Sequence, residues 1–258
     1  MKSKITGLNI GIVILATNAY FALGIRLIKR FARFYNGSNA ITFYFFADQD
    51  PVDYVPARLD VIYVESHSRN WLDGTNSKFK NILSIGDRLK SDYLFYLDAD
   101  TGIINDFDEK WFIGDLVGAQ HFNDKNLMAE IKNFDRNPLS MAYVPLDTIL
   151  PQTYFHGAFF GGKSALVMDF CRALRSYQLV DAKIPYEPCV NDESYINKYF
   201  HFQPPARIID CEDFEFQPSC KGGLKIGRRD IDLALLKEQL KILKEDDINF
   251  EDGAVILD

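Results

Sequence analysis

Two carboxylates separated by one small residue, Asp98-Ala99-Asp100, stand at the end of the apolar run over residues 93–97. A short apolar run bounded by polar residues is typical of a buried strand. In open α/β sheets, ligands bind beyond the carboxyl ends of the strands. Hard divalent cations prefer carboxylate oxygens, and a phosphorylated substrate usually supplies the remaining ligands. The pair therefore indicates a metal clamp for a nucleotide diphosphate, with a solvated turn as the alternative.

Two further segments combine residue types that bind or react with ligands. Residues 154–162 mix aromatic side chains with glycines, which is typical of a backbone held close to a ligand or of a core loop with tight turns. In residues 191–199, Asp192 and Glu193 fall in the first turn of a predicted helix. Acids at that place stabilise the helix dipole, so helix capping is an alternative to chemistry for them.

The elements that would position these segments alternate between strands and helices in the first half of the chain. Apolar runs predict strands over residues 10–15, 41–47, 61–64 and 93–97. Apolar residues at helical spacing predict helices over residues 20–34 and 77–89. Strands that alternate with helices predict an α/β fold with a mostly parallel central sheet and helices on both faces.

The second half of the chain shows a more mixed pattern. It predicts strands over residues 117–121 and 206–209, and helices over residues 164–177 and 193–199. From Asp230 onward, leucines at helical spacing predict a further helix, with Asp230 as its N-cap. No repeat or linker interrupts the chain, so we interpret residues 1–258 as a single domain. Its core spans about residues 8–210, and a tail over 211–258 contains the last helix.

Composition excludes several classes of protein. The 258 residues are 47% hydrophobic, which is enough for a sizeable core. A net charge of −7 argues against a nucleic-acid-binding protein, whose domains are usually basic. The first strand is followed by neither a GxxxxGK[ST] nor a GxGxxG motif, so a P-loop or dinucleotide site is not expected there. Its four cysteines show no CxxC spacing, which excludes a zinc ligand set of that type and suits a reducing compartment.

The N-terminal region has features of a short signal peptide. Lys2 and Lys4 precede an apolar run over residues 10–16. That run is about half the length needed to span a bilayer, and a helical pattern follows it, so we interpret it as a first buried strand. No other segment approaches transmembrane length. We therefore expect a cytoplasmic protein without an integral membrane segment.

Taken in order, four segments resemble glycosyltransferase family 6, which includes the blood-group A and B transferases and the α-1,3-galactosyltransferase. They are the Asp98-Ala99-Asp100 pair, residues 136–145, Phe159-Phe160-Gly161-Gly162 and residues 192–199. The likeness extends with gaps from about Ile10 to Ile209. It implies a GT-A fold and transfer of galactose or N-acetylgalactosamine from a UDP-sugar. It also implies retention of the α configuration and an oligosaccharide acceptor of β-galactoside type that reacts at its 3-hydroxyl.

The resemblance also implies roles for residues in the first strands and helices. The family's uridine pocket falls on Leu15, Thr17 and Tyr20, with Tyr20 placed to stack on uracil. Lys78 stands at the position of a family arginine near the donor, and Ala99 stands beside the ribose. These residues are therefore candidates for binding the UDP-sugar.

Further roles concern the metal, the acceptor and the reaction. Asp98 and Asp100 match the family's metal and diphosphate site, which would hold a divalent cation, expected to be manganese, with magnesium as the alternative. His121 matches a histidine that contacts the acceptor. Glu193 matches the proposed nucleophile, which also borders the acceptor, and Asp192 matches the neighbour that holds the donor sugar.

The donor preference depends on His156, Gly157 and Ala158, which match the segment that reads the donor sugar. In the family this segment lies against the substituent on C2 of the sugar. The His-Gly-Ala order resembles the His-Ala-Ala of the galactose-using members, and the imidazole and the alanine methyl would narrow the C2 pocket. The resemblance therefore favours UDP-galactose over UDP-N-acetylgalactosamine.

The sequence departs from the family pattern in three places. Val190-Asn191 stands where the family has Trp-His, and that tryptophan normally lines the acceptor pocket, so the identity of the acceptor stays open. Tyr195 replaces a histidine. The family's basic C-terminal tail has no clear match, and the basic residues of that region are Lys221, Lys225, Arg228 and Arg229.

Two other classes of function remain open. A nucleotidyltransferase that processes nucleotide sugars also uses paired acids with a metal, but it should show a glycine-rich loop near the first strand. A carbohydrate-binding protein without turnover would not need the ordered acids from Asp98 to Glu193.

Overall fold

The computed structural model describes residues 7–103, 105–121, 134–146, 153–210, 214–215 and 224–226. The strands are β1 (Asn9–Leu15), β2 (Ala40–Ala47), β3 (Asp60–Glu65), β4 (Tyr93–Asp98), β5 (Thr101–Ile103), β6 (Leu116–Gln120), β7 (Phe155–Lys163), β8 (Arg207–Ile209), β9 (Phe214–Glu215) and β10 (Leu224–Ile226). The helices are α1 (Phe21–Phe34), α2 (Trp71–Leu83), α3 (Ser164–Asp181) and α4 (Asn191–Phe202). Within the described ranges, no helix has the length and apolar character needed to cross a membrane.

Seven strands form the central sheet, in the order β3-β2-β1-β4-β7-β6-β8. All its neighbouring pairs are parallel except those of β7, which runs antiparallel to both β4 and β6. Leu15 lies opposite Asp98, so β1 and β4 end at the same edge of the sheet. Because β7 runs the other way, its first residues lie at that same edge. A smaller sheet has the order β5-β10-β9.

Two hydrophobic cores cover the two faces of the sheet, because successive side chains of a strand point to opposite faces. Ile12 and Ile14 of β1 pack with α1 in one core, whereas Val13 between them packs with α2, α3 and α4 in the other. Tyr96 and Leu97 of β4 divide between the cores in the same way. The mixed α/β fold with helices on both faces confirms the sequence prediction.

Most predicted elements are present within a few residues of their predicted bounds, but α2 differs. The structure starts this helix at Trp71 and ends it at Leu83, where the apolar spacing predicts residues 77–89. Asn70 caps the helix, since its side chain accepts a hydrogen bond from the Asp73 N–H at 2.9 Å. Residues 86–88 instead form a short 3-10 turn. The apolar spacing therefore missed the start of α2, which the Asn70 cap determines.

The aromatic and glycine-rich residues 154–162 form most of a central strand, so the core-loop alternative is wrong. In β7, Gly161 lies opposite Phe95, and a Cβ atom there would stand 2.2 Å from the Phe95 ring. The glycine therefore makes room for the neighbouring strand's aromatic side chain. The helix predicted from Asp230 and the basic residues Lys221, Arg228 and Arg229 lie outside the described residues, and Lys225 falls within β10.

Candidate active site

A cavity of about 1040 Å³ opens at the sheet edge where β1 and β4 end and β7 begins. Its wall also includes the loop after β3 and the first turns of α2 and α4. The residues predicted from the sequence and its resemblance all line this one cavity: Leu15, Thr17, Tyr20, Lys78, Asp98, Ala99, Asp100, His121, His156, Gly157, Ala158, Asp192 and Glu193. Residues far apart in the chain are thus brought together as expected for a single binding site.

The loop after β1 is held against the loop after β3. The hydroxyl groups of Thr17 and Ser68 are hydrogen-bonded, and the Asn18 side chain donates to the Ser68 carbonyl at 2.8 Å. Asn18 adopts a φ of 55°, a left-handed conformation that asparagine tolerates better than most residues. These bonds fix the wall on which Thr17 and Tyr20 lie.

Asp98 stands at the end of β4 with part of its carboxylate already engaged by the protein. The Tyr96 hydroxyl donates to Asp98 Oδ1 at 2.5 Å, and Lys78 Nζ lies 3.6 Å from the same oxygen. The Asp98 side chain is 35% exposed and faces the cavity, as does Asp100. Two carboxylates at this edge supply the hard oxygen ligands that Mg²⁺ and Mn²⁺ prefer.

Within the described ranges, no group of three or more His, Cys, Asp or Glu side chains lies close enough together to hold a metal ion. The Asp98–Asp100 pair alone supplies too few ligands for a dedicated cation cage. The donor set fits a divalent cation that takes its remaining ligands from the phosphates of a bound substrate, since Mg²⁺ in particular is usually bound by one or two carboxylates plus phosphate oxygens.

Lys78 is a buried cation that connects three elements of the site. From α2, its Nζ donates to the Gly157 carbonyl of β7 at 2.9 Å and lies 2.5 Å from Asp192 Oδ2 of α4. It also stands 4.3 Å from the centre of the Tyr96 ring. Burial opposes its charge, but attraction to Asp192 and Asp98 outweighs burial and raises the pKa of Lys78. The ammonium group therefore stays protonated at the centre of the acidic wall.

Glu193 lies in the first turn of α4 against the start of β7. Its Oε2 accepts a hydrogen bond from the Gly157 N–H at 2.6 Å. Burial raises the pKa of Glu193 to about 7, although the Gly157 N–H and the nearby Tyr154 hydroxyl favour the ionised form. A Cβ on Gly157 would stand only 3.1 Å from Glu193 Oε2, so a residue without a side chain suits this contact.

His121 and His156 form a stacked pair on the cavity wall, with their ring centres 4.7 Å apart. His156 Nδ1 accepts a hydrogen bond from the Ala158 N–H at 3.1 Å, so the proton of the neutral ring is on Nε2. Burial, together with repulsion from His121 and Lys78, holds the pKa of His156 well below its usual range. The ring therefore presents a neutral, flat surface to a ligand.

The structure adds residues to the site that the sequence reasoning missed. Tyr96 is one, and period-two alternation could have found it, because residues two apart in a strand share a face and Tyr96 precedes Asp98 by two. The cavity wall also includes residues 68–71, with the Trp71 side chain well exposed at the start of α2. The sequence feature that could have identified these residues is Asn70, the N-cap of α2.

Known proteins with similar sequences are glycosyltransferases. The protein family described as Glycosyltransferase family 6 matches residues 2–221. The O-antigen biosynthesis glycosyltransferase WbnI of Escherichia coli is 27% identical over 170 residues, which are 65% of this chain and 71% of that protein. Histo-blood group ABO system transferase 2 of Rattus norvegicus is 25% identical over 217 residues, 81% of this chain and 64% of the relative.

A second mammalian relative shows a similar degree of likeness. Globoside alpha-1,3-N-acetylgalactosaminyltransferase 1 of Mus musculus is 26% identical over 222 residues, which are 82% of this chain and 63% of the relative. The chain therefore spans just under two thirds of the length of these two mammalian proteins.

Proposed function

The chain belongs to glycosyltransferase family 6, and from this premise we propose that it moves a hexose from a UDP-sugar to a glycan acceptor with retention of the α configuration. The family supports glycosyl transfer and a GT-A-like fold; the donor, the acceptor and the metal are our proposals. One observation carries them: two acidic pairs, Asp98 with Asp100 and Asp192 with Glu193, line the same cavity.

We propose that Asp98 and Asp100 hold a divalent cation, with manganese as the first expectation and magnesium as the second. When bound, such a cation neutralises charge that builds on the departing diphosphate. The protein's own contribution is to fix the Asp98 carboxylate. The Tyr96 hydroxyl and the Lys78 ammonium group restrain the Asp98 side chain from the strand and helix beside it.

Glu193 has the charge and position to act on the donor sugar. Glycosyl transfer passes through a state with positive charge at the anomeric carbon, as glycoside hydrolysis does. An ionised Glu193 could form a covalent bond to that carbon as the bond from the carbon to the departing UDP breaks, and the acceptor hydroxyl would then displace the carboxylate. Alternatively, Glu193 stabilises the charge and orients the acceptor hydroxyl. Asp192 and Lys78, which form an ion pair beside it, would hold the donor sugar.

We propose UDP-galactose as the preferred donor. The support is the stacked His156 ring and the Ala158 methyl group, which line the same cavity as Glu193 and would narrow the space next to C2 of the sugar. UDP-N-acetylgalactosamine is the second candidate, because the mouse relative is named for transfer of that sugar.

The donor proposal is tested by competing the two UDP-sugars at equal concentration, with lactose as a β-galactoside acceptor. We expect a higher kcat/KM for UDP-galactose, by up to about 200-fold, since small steric differences in a pocket are worth 1–3 kcal/mol. A preference for the N-acetylgalactosamine donor would contradict the pocket argument. UDP-sugar synthesis from a nucleotide, or no turnover of any donor, would instead favour one of the other classes of function.

A further inference from the structure

The first residues of β7 extend beyond the end of β4. The ladder between these strands ends at the pair Leu97–Phe159, while β7 begins at Phe155. In an antiparallel strand, alternate residues direct both main-chain groups to the same edge, so Phe155 and Gly157 face the edge that β4 has vacated. We refer to residues 155–158 as the β7 overhang.

Side chains from two helices take the place of β4 along this overhang. The Gly157 N–H donates to Glu193 Oε2 at 2.6 Å, and the Gly157 carbonyl accepts from Lys78 Nζ at 2.9 Å. Two residues earlier in β7, Asn197 Oδ1 accepts a hydrogen bond from the Phe155 N–H at 2.7 Å. Asn197 Nδ2 donates to the Phe155 carbonyl at 2.9 Å. The Asn197 amide thus pairs with Phe155 as a neighbouring strand would.

The same amide also reaches the first turn of α4. Asn197 Nδ2 donates to the Glu193 carbonyl at 2.9 Å, and the side chain is 1% exposed. One buried group therefore joins the main chain of the overhang to the main chain of the residue that carries the proposed catalytic carboxylate. Three hydrogen bonds to two segments leave it a single geometry.

We propose that Asn197 is a positioning residue that sets the distance between the β7 overhang and Glu193. The proposal rests on the function proposed above, in which the Glu193 carboxylate acts at the anomeric carbon. Without the amide, the Gly157–Glu193 hydrogen bond loses its fixed spacing, and the carboxylate is free to shift. A displacement of about 1 Å at a reacting group can cost 10²-fold in rate.

Other contacts hold α4 in the fold independently of this amide. The Tyr195 hydroxyl donates to the buried Asp181 at 3.1 Å, and Lys198 Nζ donates to the Tyr143 carbonyl at 2.7 Å. Ile196 is fully buried in the core on that face. Loss of Asn197 should therefore leave a folded protein with a misplaced Glu193, rather than a detached helix.

The test compares Asn197→Ala, which removes the amide and its volume, with Asn197→Leu, which removes the amide but keeps about the same volume. We expect kcat to fall at least about tenfold in both, while the UDP dissociation constant measured by calorimetry stays unchanged. Asn39→Ala is the control, since Asn39 is also buried and accepts from the Leu8 N–H at the opposite end of the sheet. It should lower Tm without changing kcat.

The outcomes separate this inference from the proposed function. A wild-type enzyme that transfers no hexose defeats the proposed function itself. An active wild type with unchanged kcat in both Asn197 variants, or a loss in Asn197→Ala alone, overturns the positioning role. If neither variant folds, hydrogen exchange of the backbone amides in the wild type decides. Slow exchange of the Phe155 N–H supports the hydrogen bond to Asn197 on which the positioning role depends, and fast exchange contradicts it.

Discussion

At the scale of single residues, the cavity holds opposite charges at fixed distances before any ligand binds. Lys78 lies between Asp98 and Asp192, and its ammonium group is almost completely buried. Charges fixed in a water-poor site cost little reorganisation when charge develops on a substrate, which is the usual origin of large electrostatic effects in catalysis. The residues of this wall therefore matter through their charge as well as their shape.

The carboxylates of the Asp98-Ala99-Asp100 pair should be required for turnover. Asp98→Asn or Asp100→Asn is expected to lower kcat at least about 10²-fold, because a carboxamide keeps the size but removes the charge. Asp169→Asn, an exposed residue on α3, is the control and should leave kcat unchanged. Steady-state rates with and without excess EDTA check the prediction. Full activity in EDTA would contradict the metal proposal.

The pH dependence of kcat should report on Glu193. Burial raises the pKa of Glu193 to about 7, and the role we propose for it needs the ionised form, so kcat should rise as pH increases through about 7. The Tyr154 hydroxyl favours the ionised form, so Tyr154→Phe should raise this pKa and move the rising limb to higher pH. A limb that stays in place, or moves to lower pH, would rule out this assignment.

At the scale of elements, the sequence predicted the parallel strands at the centre of the sheet better than it predicted β7 or the start of α2. The strands β1, β2 and β4 can be recognised from their apolar runs, because buried parallel strands are almost continuously hydrophobic. The strand β7 could not be recognised in the same way, since its glycines interrupt the hydrophobic run without a regular period. They make room for three different neighbours: Glu193, Phe95 and Asp115. The start of α2 depends on the Asn70 side chain, which apolar spacing does not reveal.

The site was indicated mainly by the resemblance, because single residues such as Glu193 also fit helix capping. Period-two alternation could have added Tyr96, but the Asn197 bridge could not have been found in the same way. That bridge depends on where β4 ends relative to β7, which is a property of the sheet register.

The glycines of β7 should be intolerant of any side chain. Gly162 has a φ of 145°, and a Cβ there would stand 2.0 Å from the Asp115 carbonyl oxygen. We expect Gly162→Ala to lower the free energy of unfolding by about 1–3 kcal/mol or more. Gly74→Ala is the matched control in α2: its nearest contact would be 3.5 Å, and a gain of about 0.5–1 kcal/mol is expected. Urea unfolding of both variants measures the difference, and equal stabilities would contradict it.

At the scale of the whole molecule, the two cores hold the sheet rigid and leave its edge for the ligand. The loops after β1 and β3 and the end of β4 meet there because these strands are parallel, and the start of β7 joins them because β7 runs antiparallel to β4. That reversal brings Gly157 to the same edge as Asp98. Under the proposed function, the diphosphate and the sugar of the donor would contact different strands within a single cavity.

The central claim is retaining transfer that depends on Glu193. The most direct measurement is the anomeric configuration, by NMR, of the product formed from UDP-galactose and lactose by the wild type and by Glu193→Gln. We expect an α-linked product from the wild type. We expect almost none from Glu193→Gln, even though that variant should still bind UDP, because the charge is needed only when the anomeric carbon becomes positive. A β-linked product, or an unchanged yield from Glu193→Gln, would contradict retaining transfer that depends on Glu193.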